Sequence, residues 1–148
     1  MVGGQRIVML WAGVVLGGSL LAGPAKFMVE DLTMPVALQV GRAQFLWVAC
    51  GELLCVLLAL LVGIWGWERS ARKSGWVLAC GFFLVAGSIL VFQHLVLMAP
   101  LQVRSERIMA GEAVGKSSLH LIYVALEGIK FLCILVAGGW PISQRQGG

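Results

Sequence analysis

The stretch LHLIYVALEGIKFLCILVAGGW, residues 119–140, decides how the chain is read. As a helix it runs for about 30 Å, the thickness of a bilayer's hydrocarbon core. Nearly every side chain in it is apolar, yet Glu127 and Lys130 lie well inside. A carboxylate or an amine at that depth costs roughly 2.5–3.5 kcal/mol on insertion scales. Such groups persist where they face a partner, a cavity or a ligand. His120, Tyr123, Glu127 and Lys130 follow one another at +3, +4 and +3, which puts them on one face of a helix. That face is expected to turn toward other protein, with Glu127 and Lys130 close enough to pair at i,i+3.

The rest of the chain supplies the other protein. Of its 148 residues 59% are hydrophobic and 12% charged, with a mean hydropathy of +0.93. That leaves too little polar surface to cover a soluble core of this size. Four windows reach membrane-spanning length, at about 7–29, 43–67, 75–101 and 118–140. The fold class is therefore all-α, an integral membrane four-helix bundle forming a single polytopic domain over residues 1–148. The first window has some character of a signal peptide, with Arg6, an apolar run and then Ala22. The run is longer than an ordinary h-region, so a retained helix is expected.

Net charge is +4, but the basic residues cluster beside helix ends, as Arg69, Arg72 and Lys73 do, and suit anionic headgroups. No nucleic-acid motif accompanies them, so the lipid bilayer is the expected partner and nucleic acid is not. Cys50, Cys55, Cys80 and Cys133 all lie in the spans without a CxxC pair and read as packing residues.

Call the face holding the N-terminus side A. Arg6, Arg69, Arg72, Lys73 and Arg145 fall there; Arg42, Arg104, Arg107 and Lys116 fall on side B, with Lys26 nearby. This slight excess places both termini in the cytoplasm, in a bacterial inner membrane. Trp11, Trp65, Trp67, Trp76 and Trp140 are expected at the headgroup boundary of side A, and Trp47 toward side B. Pro24 and Pro100 are expected to end spans at side B. Gly13, Gly17 and Gly18 in the first helix, with Gly81 and Gly87 in the third, are expected to allow close helix contacts.

Tracing depth along alternating helices brings Glu52, His94, His120, Tyr123, Glu127 and Lys130 into the half of the membrane next to side B, with Lys26 and Gln93 as secondary members. Two interpretations of this set stand side by side. One is an internal ion pair that fixes helix packing, or that pairs with another membrane protein in an assembly. The other is a polar pocket open to side B that handles a proton, an ion or a small polar solute. There Glu52 and Glu127 act as ligands or proton acceptors, Lys130 as counter-ion, and His94 and His120 as entry groups. Four helices form a thin pathway, so a homo-oligomer or a membrane partner is expected. The pattern requires no cofactor. A metal on Glu52, His94, His120 and Glu127, or haem on the two histidines, makes a third possibility, that of a membrane enzyme. The Glu-x-x-His spacing of di-iron bundles is absent.

Residues 46–65 laid over 121–140 align Glu52 with Glu127, Gly63 with Gly138 and Trp65 with Trp140, at an offset of 75. Pro24 and Pro100 correspond with a slip of one residue. The chain then reads as two duplicated helical hairpins. The ending Gly23-Pro24-Ala25-Lys26-Phe27, together with Pro100, Arg104 and then Ser118-Leu119-His120, resembles a family of small four-helix membrane proteins typified by transmembrane protein 205. That resemblance implies an integral membrane protein and no established reaction.

Overall fold

Each apolar window folds as one helical rod, and the rods run up, down, up and down. The computed structural model describes residues 2–70, 74–115 and 117–146, with the side chains of 3–63, 76–115 and 117–139. Helix α1 covers 2–28, α2 is Met34–Ser70, α3 covers 74–109 and α4 is Leu119–Gln146. No strand occurs among the described residues. All four rods contain a stretch long and apolar enough to cross a membrane: Gly3–Met28, Met34–Gly63, Trp76–Met109 and Leu119–Gly139. Large apolar side chains remain exposed around the outside, including Leu46, Leu84, Leu95 and Leu121. Lipid is the solvent that such a surface fits.

All four rods are longer than their windows, α2 and α3 by the most. α2 begins at Met34 rather than near Ala43, and α3 continues past Pro100 to Met109 rather than stopping at Leu101. Neither proline ends its helix. Pro24 lies within the segment Ala22–Ala25, and Pro100 within Met98–Met109. Each is instead preceded by a π-helical turn, Val15–Leu21 in α1 and Gln93–Leu97 in α3. A proline ring crowds the carbonyl four residues back and offers it no N–H. Widening the preceding turn relieves both faults. Ala22 N–H reaches back to Gly17 O and Met98 N–H to Gln93 O, each five residues away. α3 closes with Gly111 at φ 79°, a left-handed residue of the kind that stops helices. α4 opens with Leu119 N–H donating to Ser117 Oγ at 3.2 Å.

α1 packs against α2 and α4, α3 packs along α4, and α2 meets α3 near side B. The core comprises Val8, Trp11, Val15, Leu90 and Ile134 with small residues between them. Close approaches occur at Gly18, where an added Cβ meets Val48, at Gly41, where it meets the Lys26 ammonium, and at Gly138, where it lies 2.7 Å from Met9 Sδ. Gly13, Gly17, Gly81 and Gly87 have open space on their Cβ side, so of the five glycines expected at helix contacts only Gly18 makes one.

Trp11 corrects a further expectation. It is fully buried and packs edge-on against Phe83 at 5.7 Å, and is no boundary residue. The side chains of Trp65, Trp67, Trp140, Arg69 and Arg145, and the whole of Arg72, Lys73 and Lys116, lie outside the described residues.

Candidate functional site

Lys130 is at the centre of the bundle with no exposed surface. An ammonium has three protons, and each finds an acceptor. Nζ lies 2.8 Å from Glu52 Oε2, 2.9 Å from Glu127 Oε1 and 3.1 Å from Gln93 Oε1. Trp11 adds a fourth helix by donating its indole N–H to Glu52 Oε2 at 2.8 Å. Gln93 turns its amide N–H to Tyr123 O at 3.2 Å. One cation thus ties together side chains from all four rods. The glutamates, Gln93 and Lys130 are each at most 1% exposed.

The π turn in α3 sets up this arrangement. It inserts a wider turn at Gln93–Leu97, so Gln93 points into the core while His94, one residue on, reaches the cavity beside it. His94 Nδ1–H donates to Leu90 O at 3.0 Å. A carbonyl only accepts, so Nδ1 carries a proton, and in the neutral ring Nε2 is left with its lone pair.

Above the cluster, toward side B, lies a cavity of about 400 Å³. Glu127 joins the two. Its Oε1 holds Lys130, and its Oε2 makes no close hydrogen bond to the described residues, although the Tyr123 hydroxyl, on the same cavity wall, lies near enough to interact with the carboxylate. Lys26, His94, His120 and Tyr123 line the same space, whose walls are otherwise mostly apolar and include Phe45, Leu46 and Val124. Lys26 is half-buried, with Nζ 4.9 Å from the Phe45 ring centre and 3.4 Å from Gln44 Oε1. Gln44 in turn donates its amide to Gly18 O. Arg42, on the outer wall, is paired with Glu106 at 3.0 Å.

The eight residues singled out from sequence therefore divide into two groups. Lys26, His94, His120, Tyr123 and Glu127 line the cavity. Glu52, Gln93 and Lys130 stand behind Glu127, sealed in the core. Gln93, a secondary member by sequence, is a direct partner of the central cation. The proposed metal set is split by this division, since Glu52 is engaged by Trp11 and Lys130 while His94 and His120 face the cavity. Among the described residues no group of three or more His, Cys, Asp or Glu is arranged to hold a metal ion.

Sequence reasoning missed Trp11, Gln44 and Ser19. Trp11 lies about one turn inside the window at 7–29, a depth that suits a headgroup anchor, so its position carried no signal of burial. Ser19 Oγ is buried, lines the cavity and has no partner. No protein-family model, curated protein or solved structure matches this chain.

Proposed function

We propose that this integral membrane protein takes up a proton or a small polar solute from side B at Glu127, with Glu52, Lys130, Gln93 and Trp11 as the fixed base that holds Glu127 in place. The observation that carries this is Glu127 Oε2, a carboxylate oxygen without a close hydrogen bond, beside the Tyr123 hydroxyl, on a residue 1% exposed that lines a cavity. Two carboxylates share one ammonium. When both are ionised the cluster holds an excess negative charge, which is costly in hydrocarbon. A proton on Oε2, or a hydrogen-bond donor in the cavity, removes the fault.

The packing interpretation has support of its own, because Lys130 spends all three protons within the chain and leaves none for a partner protein. It accounts for Glu52, Gln93 and Lys130. It does not account for a cavity against Glu127.

Infrared spectroscopy of the protein in phosphatidylcholine nanodiscs tests the proposal. A carboxylic-acid C=O band is expected that disappears in Glu127→Gln and survives in Glu52→Gln. Spectra without such a band, or a band lost only in Glu52→Gln, would remove its basis.

The same geometry supports a duplication of the two hairpins. The offset that aligns Glu52 with Glu127 also aligns Ser19 with His94, both in π turns ahead of a proline and both lining the cavity.

A further inference from the structure

Four buried side-chain polar atoms among the described residues lack a hydrogen-bond partner: Ser19 Oγ, Trp76 Nε1, His94 Nε2 and Glu127 Oε2. Three of these four belong to residues that line one cavity. Unpartnered buried polar atoms are rare in folded proteins, and several on residues that line one cavity mark it as a candidate binding site. Their chemistry restricts what it is. Glu127 Oε2 is an acceptor, and it carries the excess negative charge of the cluster. His94 Nε2 is an acceptor in the neutral ring, whose Nδ1–H is committed to Leu90 O. Ser19 Oγ accepts as readily as it donates.

We propose that the cavity is a binding site for a primary amine with an apolar body, its ammonium held by Glu127 Oε2, His94 Nε2 and Ser19 Oγ. This deepens the reading of Glu127 given above and rests on it. Three acceptors match the three protons of an ammonium, as Glu52, Gln93 and Glu127 match those of Lys130 a turn deeper. The positive charge cancels the surplus that Lys130 leaves. A neutral alcohol has one proton to give and cancels nothing. The body is accommodated by Phe45, Leu46 and Val124. Leu46 and Val124 are also exposed on the outside of the bundle, so the cavity wall is continuous with the lipid-facing surface. Lys26, a cation already lining the cavity, sets a limit, since Arg42 is neutralised by Glu106. Its ammonium repels a second positive charge, which separates monoamines from polyamines.

The probe is 2-phenylethylamine, titrated by calorimetry into the full-length protein in phosphatidylcholine nanodiscs, with 2-phenylethanol as its neutral isostere and spermidine as a polyamine. Saturable amine binding is expected, about 10–100-fold tighter than the alcohol, with spermidine weaker than the monoamine. Glu127→Gln is expected to weaken amine binding by about 10–100-fold and Ser19→Ala by about 3–10-fold. Ser19→Ala keeps the test open should Glu127→Gln disturb folding. Alcohol binding as tight as amine binding, or an amine affinity unchanged in both variants, overturns the proposal. The amine should also abolish the Glu127 acid band by replacing its proton. A band that is present but indifferent to saturating amine overturns the amine site and leaves the proton-binding proposal standing. Absence of both the band and amine binding overturns the two together.

Discussion

Replacing Lys130 by methionine tests whether the centre of the bundle is held by charge. The substitution keeps the length and apolar volume of the side chain and deletes the ammonium that bridges Glu52 and Glu127 at 2.8 and 2.9 Å. It also strips Gln93 Oε1 of its donor at 3.1 Å. Hydrogen bonds to charged groups contribute about 1.5–3 kcal/mol each, and removing one member of a buried ion pair costs about 3–5 kcal/mol because the survivor stays charged and dry. Glu52 retains the Trp11 indole, and Glu127 can take a proton from the cavity, so the loss should fall within that second range rather than exceed it. Titrating micellar protein with sodium dodecyl sulfate, with helicity followed by circular dichroism, measures it. Glu127→Gln serves as the contrast. Its amide oxygen still accepts from Lys130, and it removes the surplus charge, so stability should change by less than about 1 kcal/mol. Adding Glu52→Gln to Lys130→Met should restore part of the loss. A Lys130→Met cost below about 1 kcal/mol, or a Glu127→Gln cost equal to it, would refute an electrostatic centre.

Other predictions address single contacts. Trp11→Phe keeps a ring against Phe83 but removes the donor to Glu52, and should cost about 1–3 kcal/mol in the same titration, non-additively with Lys130→Met. Gly41→Ala places a methyl where the Lys26 ammonium rests. Lysine is flexible enough to move, so stability should hold while the rate of Lys26 acylation, read by mass spectrometry, rises several-fold; unchanged labelling would contradict the packing described. Pro100→Ala restores an N–H for Val96 O and removes the cause of the wide turn. Gln93 should then lose its aim at Lys130, so that Gln93→Ala costs less in that background, by at least about 0.5 kcal/mol in a double-mutant cycle.

The polar half of the site was legible because polar residues are rare in these helices. The spacing of His120, Tyr123, Glu127 and Lys130 marks one face of α4, and the structure turns that face inward from Tyr123 to Lys130. Glu52 stood out for the same reason. The apolar parts gave no comparable direction. In water a helix announces its buried face by contrast with a polar one; α2 and α3 are apolar all round, and lipid accepts either face. Periodicity therefore did not tell a buried Trp11 from an anchoring one, or show which of Gln93 and His94 entered the core. The prolines misled because their usual effect, ending a helix, was absorbed one turn earlier by a wider turn. Gly18 and Gly41 differ from Gly13 and Gly87 only in what lies opposite, which no single helix records.

The bond between Lys130 and Glu52 joins residues 78 positions apart. A ribosome adding about 5–20 residues per second takes roughly 4–16 s to cover that distance. Throughout that interval Glu52 has been made and its ammonium has not. The nascent protein must wait with that side chain protonated, hydrated or sheltered by the insertion machinery. The central ion pair therefore closes only when the last helix arrives, and a chain that stops short of residue 130 leaves Glu52 without its ammonium.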